Sequence, residues 1–406
     1  MKLSRRQFVQ TSAIASAGLF VDLNTTHAQP HTNVKINKIE AFPLVYPTIG
    51  RFKFFEGPKG RVSGRAAVLV KITSDTGVVG WGQSVPIPKW SYETLETVYS
   101  TIARYLAPEL IGVDPFDTKA IQTVMDGAIA PSFSTGQPIC KAGIDIAVCD
   151  LRGKLATQNL TKLWNRKGRD RITLSWTLNP RTLDEIPTLI EQGKARGYKN
   201  FNVKISPDPK FDLELCRIVK HLVPDGFLWA DANGGYDEAT ALEVAPKLAD
   251  IGVRVFEQPI PANRLTGYQH LKKQGALPII MDEGVVSSVE LEEFIKLGLL
   301  DGVAMKPARC GGLSEARRQI ELVQNAGLMF LGSGLTDPDV SLAASLILYG
   351  AYDLKFPAAL NAPQFIEASI LKQPFKTESG ELAVPTGPGL GIEVDEDKIK
   401  NFAAKI

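Results

Sequence analysis

The chain has 406 residues, 44% hydrophobic and 22% charged, enough for a large buried core and two domains, which excludes both a disordered chain and an integral membrane protein. Lysine and arginine number 46 against 44 acidic residues, and removing residues 1–28 with Lys2, Arg5, Arg6 and Asp22 leaves 43 against 43, so a broad basic surface for nucleic acid or anionic lipid is excluded. Cys140, Cys149, Cys216 and Cys310 form no C-x-x-C pair, and beyond His31 only His221 and His270 remain, which argues against a disulfide scaffold, a thiolate zinc site and chemistry built on histidine.

Residues 1–28 read as an export signal. Ser4-Arg5-Arg6-Gln7-Phe8-Val9 precedes an apolar stretch at 14–21, too short for a permanent span, and a small-residue cleavage site at Thr26-His27-Ala28. The paired arginines before Phe8 match a twin-arginine signal, which carries folded proteins across a bacterial membrane, so the mature chain is expected in the periplasm. Residues 34–46 and 66–83 then read as strands, the second split into a hairpin by a turn at Asp75-Thr76-Gly77. Helical periodicity follows over 91–127 and 139–157, giving an α+β domain over 32–165.

From residue 171 short apolar runs alternate with helical stretches. The runs are 172–178, 201–206, 227–233, 253–259, 278–284, 302–307, 328–334 and 357–361, with amphipathic segments such as 183–196, 237–250 and 313–326 between them. Apolar strands without polar alternation imply a parallel sheet covered by helices, and eight βα units imply a closed α/β barrel over 166–362. The tail, 363–406, is expected to return to the first domain.

The ends of the runs carry the chemistry. Lys204, Asp231, Glu257, Asp282 and Lys306 lie 27, 26, 25 and 24 residues apart, one βα unit each. In a parallel barrel such positions share one mouth, where active sites are built, and burying five charges there is costly unless they pair or bind metal. Three carboxylates without histidine or thiolate make an all-oxygen site, which favours Mg²⁺, with Mn²⁺ as a substitute. The two lysines, four strands apart in a ring of eight, face each other across it. A nearby cation should lower a lysine pKa toward the range of a general base, while the metal stabilises charge on a carboxylate whose α-carbon loses a proton.

The pieces GYKNFNVKIS (197–206), WADANGGYD (229–237), VFEQPI (255–260), MDEG (281–284), VAMKPARCGGLSEA (303–316) and PGLGIEVDED (388–397) resemble the enolase superfamily, specifically its muconate lactonizing enzyme subgroup. The resemblance implies a modified TIM barrel, (β/α)7β, with an α+β N-terminal capping domain. It implies one Mg²⁺ on Asp231, Glu257 and Asp282, and Lys204 and Lys306 as the acid/base pair. It also implies an isomerase, a racemase/epimerase or cycloisomerase, that forms a metal-stabilised enolate from a small carboxylate substrate, and a homo-oligomeric assembly. The histidine-dependent mandelate racemase subgroup is excluded, because no histidine follows His270. A syn-dehydratase of hydroxy or sugar acids on the same scaffold is the alternative reaction, and an exported solute-binding protein the alternative of another class.

Departures bear on the substrate. The family's Lys-x-Lys is Asn202-Val203-Lys204 here, and strand alternation puts Asn202 on the side of Lys204. The Asp-x-Asp of dipeptide epimerases is replaced by Ala359-Leu360-Asn361, which argues against dipeptides. Candidate substrate contacts are Asn202, Asn233, Asp337, Asn361 and Trp90. Glu283 is expected to point away from the mouth or to sit just behind the metal ligands, and Cys310 to be structural. Residues 47–65, with Arg51, Lys53, Lys59, Arg61 and Arg65 among Phe52, Phe54 and Phe55, are expected to form a lid over an anionic substrate.

Overall fold

The structure is a computed structural model that describes residues 33–55, 64–131 and 135–406; the leader, Lys59 and Arg61 lie outside these residues. Three antiparallel strands open the fold: β1 (Ile36–Tyr46), β2 (Arg65–Ser74) and β3 (Val79–Ser84), with the expected turn between β2 and β3. The helix Pro138–Leu155 lies directly on β3, which has glycine where the two meet. A Cβ at Gly82 would stand 2.0 Å from the Gly143 carbonyl oxygen, and one at Gly80 2.3 Å from that of Ala147.

The long helical stretch expected over 91–127 is interrupted. The helical run that begins with Leu95–Thr101 continues through Ile102–Leu106 to Ala107–Leu110, and an extended link then separates it from helix Thr118–Ala128 and pairs with β1: Ile36 N–H donates to Val113 O (2.9 Å) and Gly112 N–H to Ile36 O (2.8 Å). The extended Ile111 and the left-handed Gly112 free the chain from helix at that point.

Seven parallel strands follow in chain order: β5 (Ser175–Leu178), β6 (Asn200–Lys204), β7 (Leu228–Asp231), β8 (Val255–Glu257), β9 (Ile279–Met281), β10 (Gly302–Met305) and β11 (Met329–Gly332). Helices such as Pro209–Leu222, Glu238–Ile251 and Leu313–Asn325 connect them. The eighth stave is two residues long: Ala358 bridges to Leu174 and Ala359 to Ser333, closing the curled sheet between β5 and β11. This is a modified TIM barrel with a separate N-terminal domain, and a single curled sheet gives no support to the two-lobed solute-binding alternative.

The run 172–178 is not one strand. β4 (Arg171–Thr173) pairs antiparallel with β12 (Glu381–Ala383), and only β5 enters the barrel. The switch falls at Leu174, whose N–H is taken by Gly380 O at 2.8 Å. The last residues lie on the N-terminal domain. Leu390 N–H donates to Asp150 Oδ1 (2.8 Å), Lys71 pairs with Glu396 (2.7 Å), Leu44 bridges to Ala403, and Tyr46 stacks on Phe402 (5.2 Å).

Alternation along the strands fills the barrel floor and points the functional residues upward. Trp229, Val255, Ile280, Ala304, Leu331 and Ala359 form one buried cluster. Two residues beyond each stand Asp231, Glu257, Asp282, Lys306, Ser333 and Asn361, at the C-terminal mouth.

Candidate active site

The three acids are brought together. Lys204 and Asp231 are register partners, as are Asp231 and Glu257. One carboxylate oxygen from each of Asp231, Glu257 and Asp282 lies within 4.8 Å of the others, and all three residues are buried. Lys204 bonds Asp231 at one end of the row, and Lys306 bonds Asp282 at the other. Lys306 Nζ also lies 3.8 Å from Glu257 Oε1. With the lysines on β6 and immediately after β10, four staves of eight apart, they flank the acids from opposite sides.

Each acid has a different environment. Asp231 accepts from the Asn233 backbone (2.8 Å) and from Asn233 Nδ2 (3.1 Å). Asp282 is held by Lys306 and by Arg309, which also donates to Ala304 O (2.8 Å). Burial alone would raise the Asp282 carboxyl, but Lys306 and Arg309 more than reverse this and hold it below the usual range. Both Glu257 oxygens are buried with no hydrogen-bond partner. Its carboxyl is pushed well above the ordinary value by burial and by the adjacent Asp231 and Asp282. Burial would lower the Lys204 ammonium, but Asp231 and Glu257 outweigh it and raise the group, opposite to the fall expected beside a cation. The lowering expected from sequence depends on a metal charge, whereas three carboxylates alone favour ammonium.

A buried, unpartnered carboxylate between two others is a fit for a hard divalent cation, since a cation satisfies the idle lone pairs and cancels the mutual repulsion. The donor set is all oxygen.

The narrow cleft above is lined by Lys204, Lys306, Asn202, Asn233, Asn361 and Trp90 together with Phe52, Phe54, Ile87 and Thr336. Trp90 lies over Lys306, 5.1 Å from Nζ to the ring centre. Asn361 accepts from Thr336 Oγ1 at 2.8 Å and faces Thr177 Oγ1 at 3.4 Å.

Asp337 is not in this lining. Its carboxylate is buried in the wall, accepting from Leu335 N–H (3.2 Å) and Ser345 Oγ (3.4 Å), because Thr336 at φ 54 turns the chain and leaves Asp337 facing inward. Tyr92 also stays outside, 68% exposed, with its hydroxyl accepting from Gln137 N–H (3.1 Å). The Glu283 carboxyl is raised well above its ordinary value by burial and then by Asp282 and Asp231, in keeping with a place behind the acid row rather than in the cleft lining. Cys310 is buried and its thiol is pushed up to about 12 by burial, which fits a structural role.

In the expected lid segment, Lys53 N–H donates to Asn179 Oδ1 (3.0 Å), Arg51 to Asn179 O (2.8 Å), and Phe52 stacks on Phe365 at 5.0 Å, so residues 51–54 rest on the barrel mouth. Arg65 has another task. Its buried guanidinium donates to Leu335 O (3.0 Å), Pro86 O (2.7 Å) and Val85 O (2.7 Å), pinning the N-terminal domain to the loop after β11. Sequence reasoning missed Arg309 as the partner of Asp282, and Gln258, whose Oε1 accepts from the N–H groups of Asp282 (2.9 Å) and Gly284 (3.1 Å). The glycine pair after Arg309 was the available signal: a Cβ at Gly312 would meet Asp145 Oδ2 at 2.4 Å, so the loop carrying Arg309 packs tightly on helix Pro138–Leu155.

An α/β barrel with a capping domain and an acid row between two lysines defines an enzyme that works on a substrate held at the barrel mouth. Residues 186–398 match the family model described as enolase C-terminal domain-like, and residues 58–164 the N-terminal domain of the mandelate racemase / muconate lactonizing enzyme family. The chain belongs to the enolase superfamily, in its muconate lactonizing enzyme subgroup, and is an isomerase of that superfamily. It is 31% identical to a chloromuconate cycloisomerase of Cupriavidus necator over 82% of this chain and 90% of the relative. It is 26% identical to an N-succinyl-L-Arg/Lys racemase of Bacillus cereus over 91% of this chain and 98% of the relative. The structure of a Pseudomonas fluorescens muconate lactonizing enzyme complexed with muconolactone superposes with a TM-score of 0.85 at 25% identity, covering 92% of this chain and all of that one.

Proposed function

We propose that this chain is a Mg²⁺-dependent isomerase that removes and returns a proton at the carbon next to a substrate carboxylate, by racemisation, epimerisation or cycloisomerisation. The observation that carries the reading is the pair of lysines at opposite ends of the acid row, both opening on one cleft. Asp231, Glu257 and Asp282 would hold the ion; when bound, it supplies positive charge for the substrate carboxylate and stabilises the negative charge that develops there.

The remaining work falls to the chain. Lys204 and Lys306, on opposite faces of a substrate seated between them, act as base and acid, so a proton taken by one Nζ can be replaced from the other. Asn233 holds the Asp231 carboxylate in place, and Arg309 does the same for Asp282. Phe52, Phe54, Ile87 and Trp90 exclude water from one side of the cleft. Among the described residues, none of those lining the cleft is a carboxylate, which supports an anionic rather than a zwitterionic substrate.

The test is incubation of the Mg²⁺-loaded protein with candidate acids in D₂O, followed by NMR. Deuterium at the α-carbon or a cyclised product supports the reading, and absence of both across a broad panel overturns it. Loss of water from the substrate would identify the dehydratase instead. We further propose export to the periplasm in folded form, supported by Ser4-Arg5-Arg6-Gln7-Phe8; replacing both Arg5 and Arg6 with lysine should retain the protein in the cytoplasm.

A further inference from the structure

Three asparagines reach the cleft, and their amides are used differently. Both polar atoms of Asn361 face partners, Thr336 Oγ1 and Thr177 Oγ1. Asn233 spends Nδ2 on Asp231 and leaves Oδ1 buried without a partner. Asn202 is 1% exposed, and neither Oδ1 nor Nδ2 has a hydrogen-bond partner. Its in-register neighbours are Thr177, already faced by Asn361, and Trp229, whose Nε1 is itself unpartnered.

Native proteins seldom leave a buried amide idle, since the group has given up its bonds to water and gained none in return. The amide orientation does not affect this conclusion. Asn202 is unpartnered in either flip, and flipping Asn233 would set its oxygen against the Asp231 carboxylate. The Lys204 side of the mouth therefore presents two idle amide oxygens and one idle amide NH2 group. A carboxylate oxygen could accept from the NH2 group, but the two oxygens require a ligand that donates. A substrate made only of carboxylates and carbon-bound hydrogen has no donor to give them.

We propose that the substrate carries an O–H or amide N–H donor on or next to the reacting carbon, and that Asn202 selects for it. This rests on the reading of the cleft as a site of α-proton chemistry and narrows it to hydroxy acids or N-acylated amino acids. Unsaturated dicarboxylates without a donor fall outside it. A site built to bond such a group discriminates strongly against an analogue that lacks it, because its buried polar atoms are then left unpaired.

The experiment uses the full chain with Mg²⁺ and three panels of acids in D₂O: 2-hydroxy acids, N-acylated amino acids, and donor-free unsaturated dicarboxylates such as muconate. Turnover is followed by NMR, and kcat/KM is taken for the best member of each panel. The expected result is turnover with one donor-bearing panel at least 100-fold above the donor-free one, the panel identifying the donor. In Asn202→Leu that preference should shrink at least tenfold, the loss of about one hydrogen bond, with Mg²⁺ affinity by calorimetry unchanged. Donor-free acids turned over best, or a preference unaltered in Asn202→Leu, would overturn this inference and leave the proposed function standing. No turnover in any panel would overturn the proposed function and this inference with it.

Discussion

The acid row makes a prediction that needs no substrate. Glu257 Oε1 or Oε2 lies within 4.8 Å of an oxygen of both Asp231 and Asp282. At an effective dielectric of about 20, each such repulsion is worth about 3.5 kcal/mol or more. Lys306 at 3.8 Å from Glu257 offsets about 4.4 kcal/mol on the same scale. Roughly 2–3 kcal/mol then remains, and the more distant Lys204 reduces it to about 1–2 kcal/mol, which the folded protein bears either as repulsion or as the cost of keeping a proton on the raised Glu257 carboxyl. Glu257→Gln removes this repulsion with almost no change of shape. Measured by urea denaturation in chelator, the variant should therefore be more stable than wild type by about 1–2 kcal/mol. With Mg²⁺ at 100 times its dissociation constant, wild type should gain about 2.7 kcal/mol, and the variant, having lost a ligand, much less. The order of stabilities should thus reverse on adding the ion. A variant weaker than wild type in chelator, or one that keeps the full Mg²⁺ gain, would refute the reasoning.

Other expectations can be checked separately. Lys306→Ala and Lys204→Ala should each lower kcat by about 10³-fold with circular dichroism unchanged, as expected for loss of a general acid or base; near-normal rates in either would remove that lysine from the chemistry. Gly82→Ala should cost about 3 kcal/mol in chemical denaturation, because its Cβ meets the Gly143 carbonyl oxygen at 2.0 Å. Gly127→Ala, in a helix with open space around it, should gain about 0.5 kcal/mol. Glu93 accepts from Ile139 N–H (2.8 Å) and Cys140 N–H (2.7 Å), and burial raises its carboxyl from 4.5 to about 7. The folded state then holds a proton that the unfolded state has lost, so stability falls as pH rises between about 4.5 and 7, by up to about 3 kcal/mol. Glu93→Gln should flatten that slope in melts at pH 5 and pH 7.5.

The barrel was readable in the chain because its signal is local and repeated. The strands are apolar, five of them end in or just before a charge, and period-two alternation carries that charge to the mouth, so Lys204, Asp231, Glu257, Asp282 and Lys306 could be placed from spacing alone. What escaped notice depends on partners distant in sequence. The break after Leu110 exists because β1 takes the hydrogen bonds of Gly112 and Val113. The division of 171–178 into β4 and β5 depends on β12, more than 200 residues later. Arg65 looked like a lid cation, yet its burial against the loops at 85–86 and 335–336 becomes evident only when they are folded around it. Asp337 illustrates register error: one turn residue at positive φ moved a promising carboxylate from the cleft into the wall.

The tail lying against β1 has a consequence for the order in which the molecule can be made. Residues 390–404 supply the partner of Asp150, the ring over Tyr46 and the bridge to Leu44, so the N-terminal domain is completed by a segment made only after the whole barrel. Until that segment leaves the ribosome, the outer face of the domain remains open, and a nascent polypeptide stalled before it would hold a barrel whose cap is still unsealed.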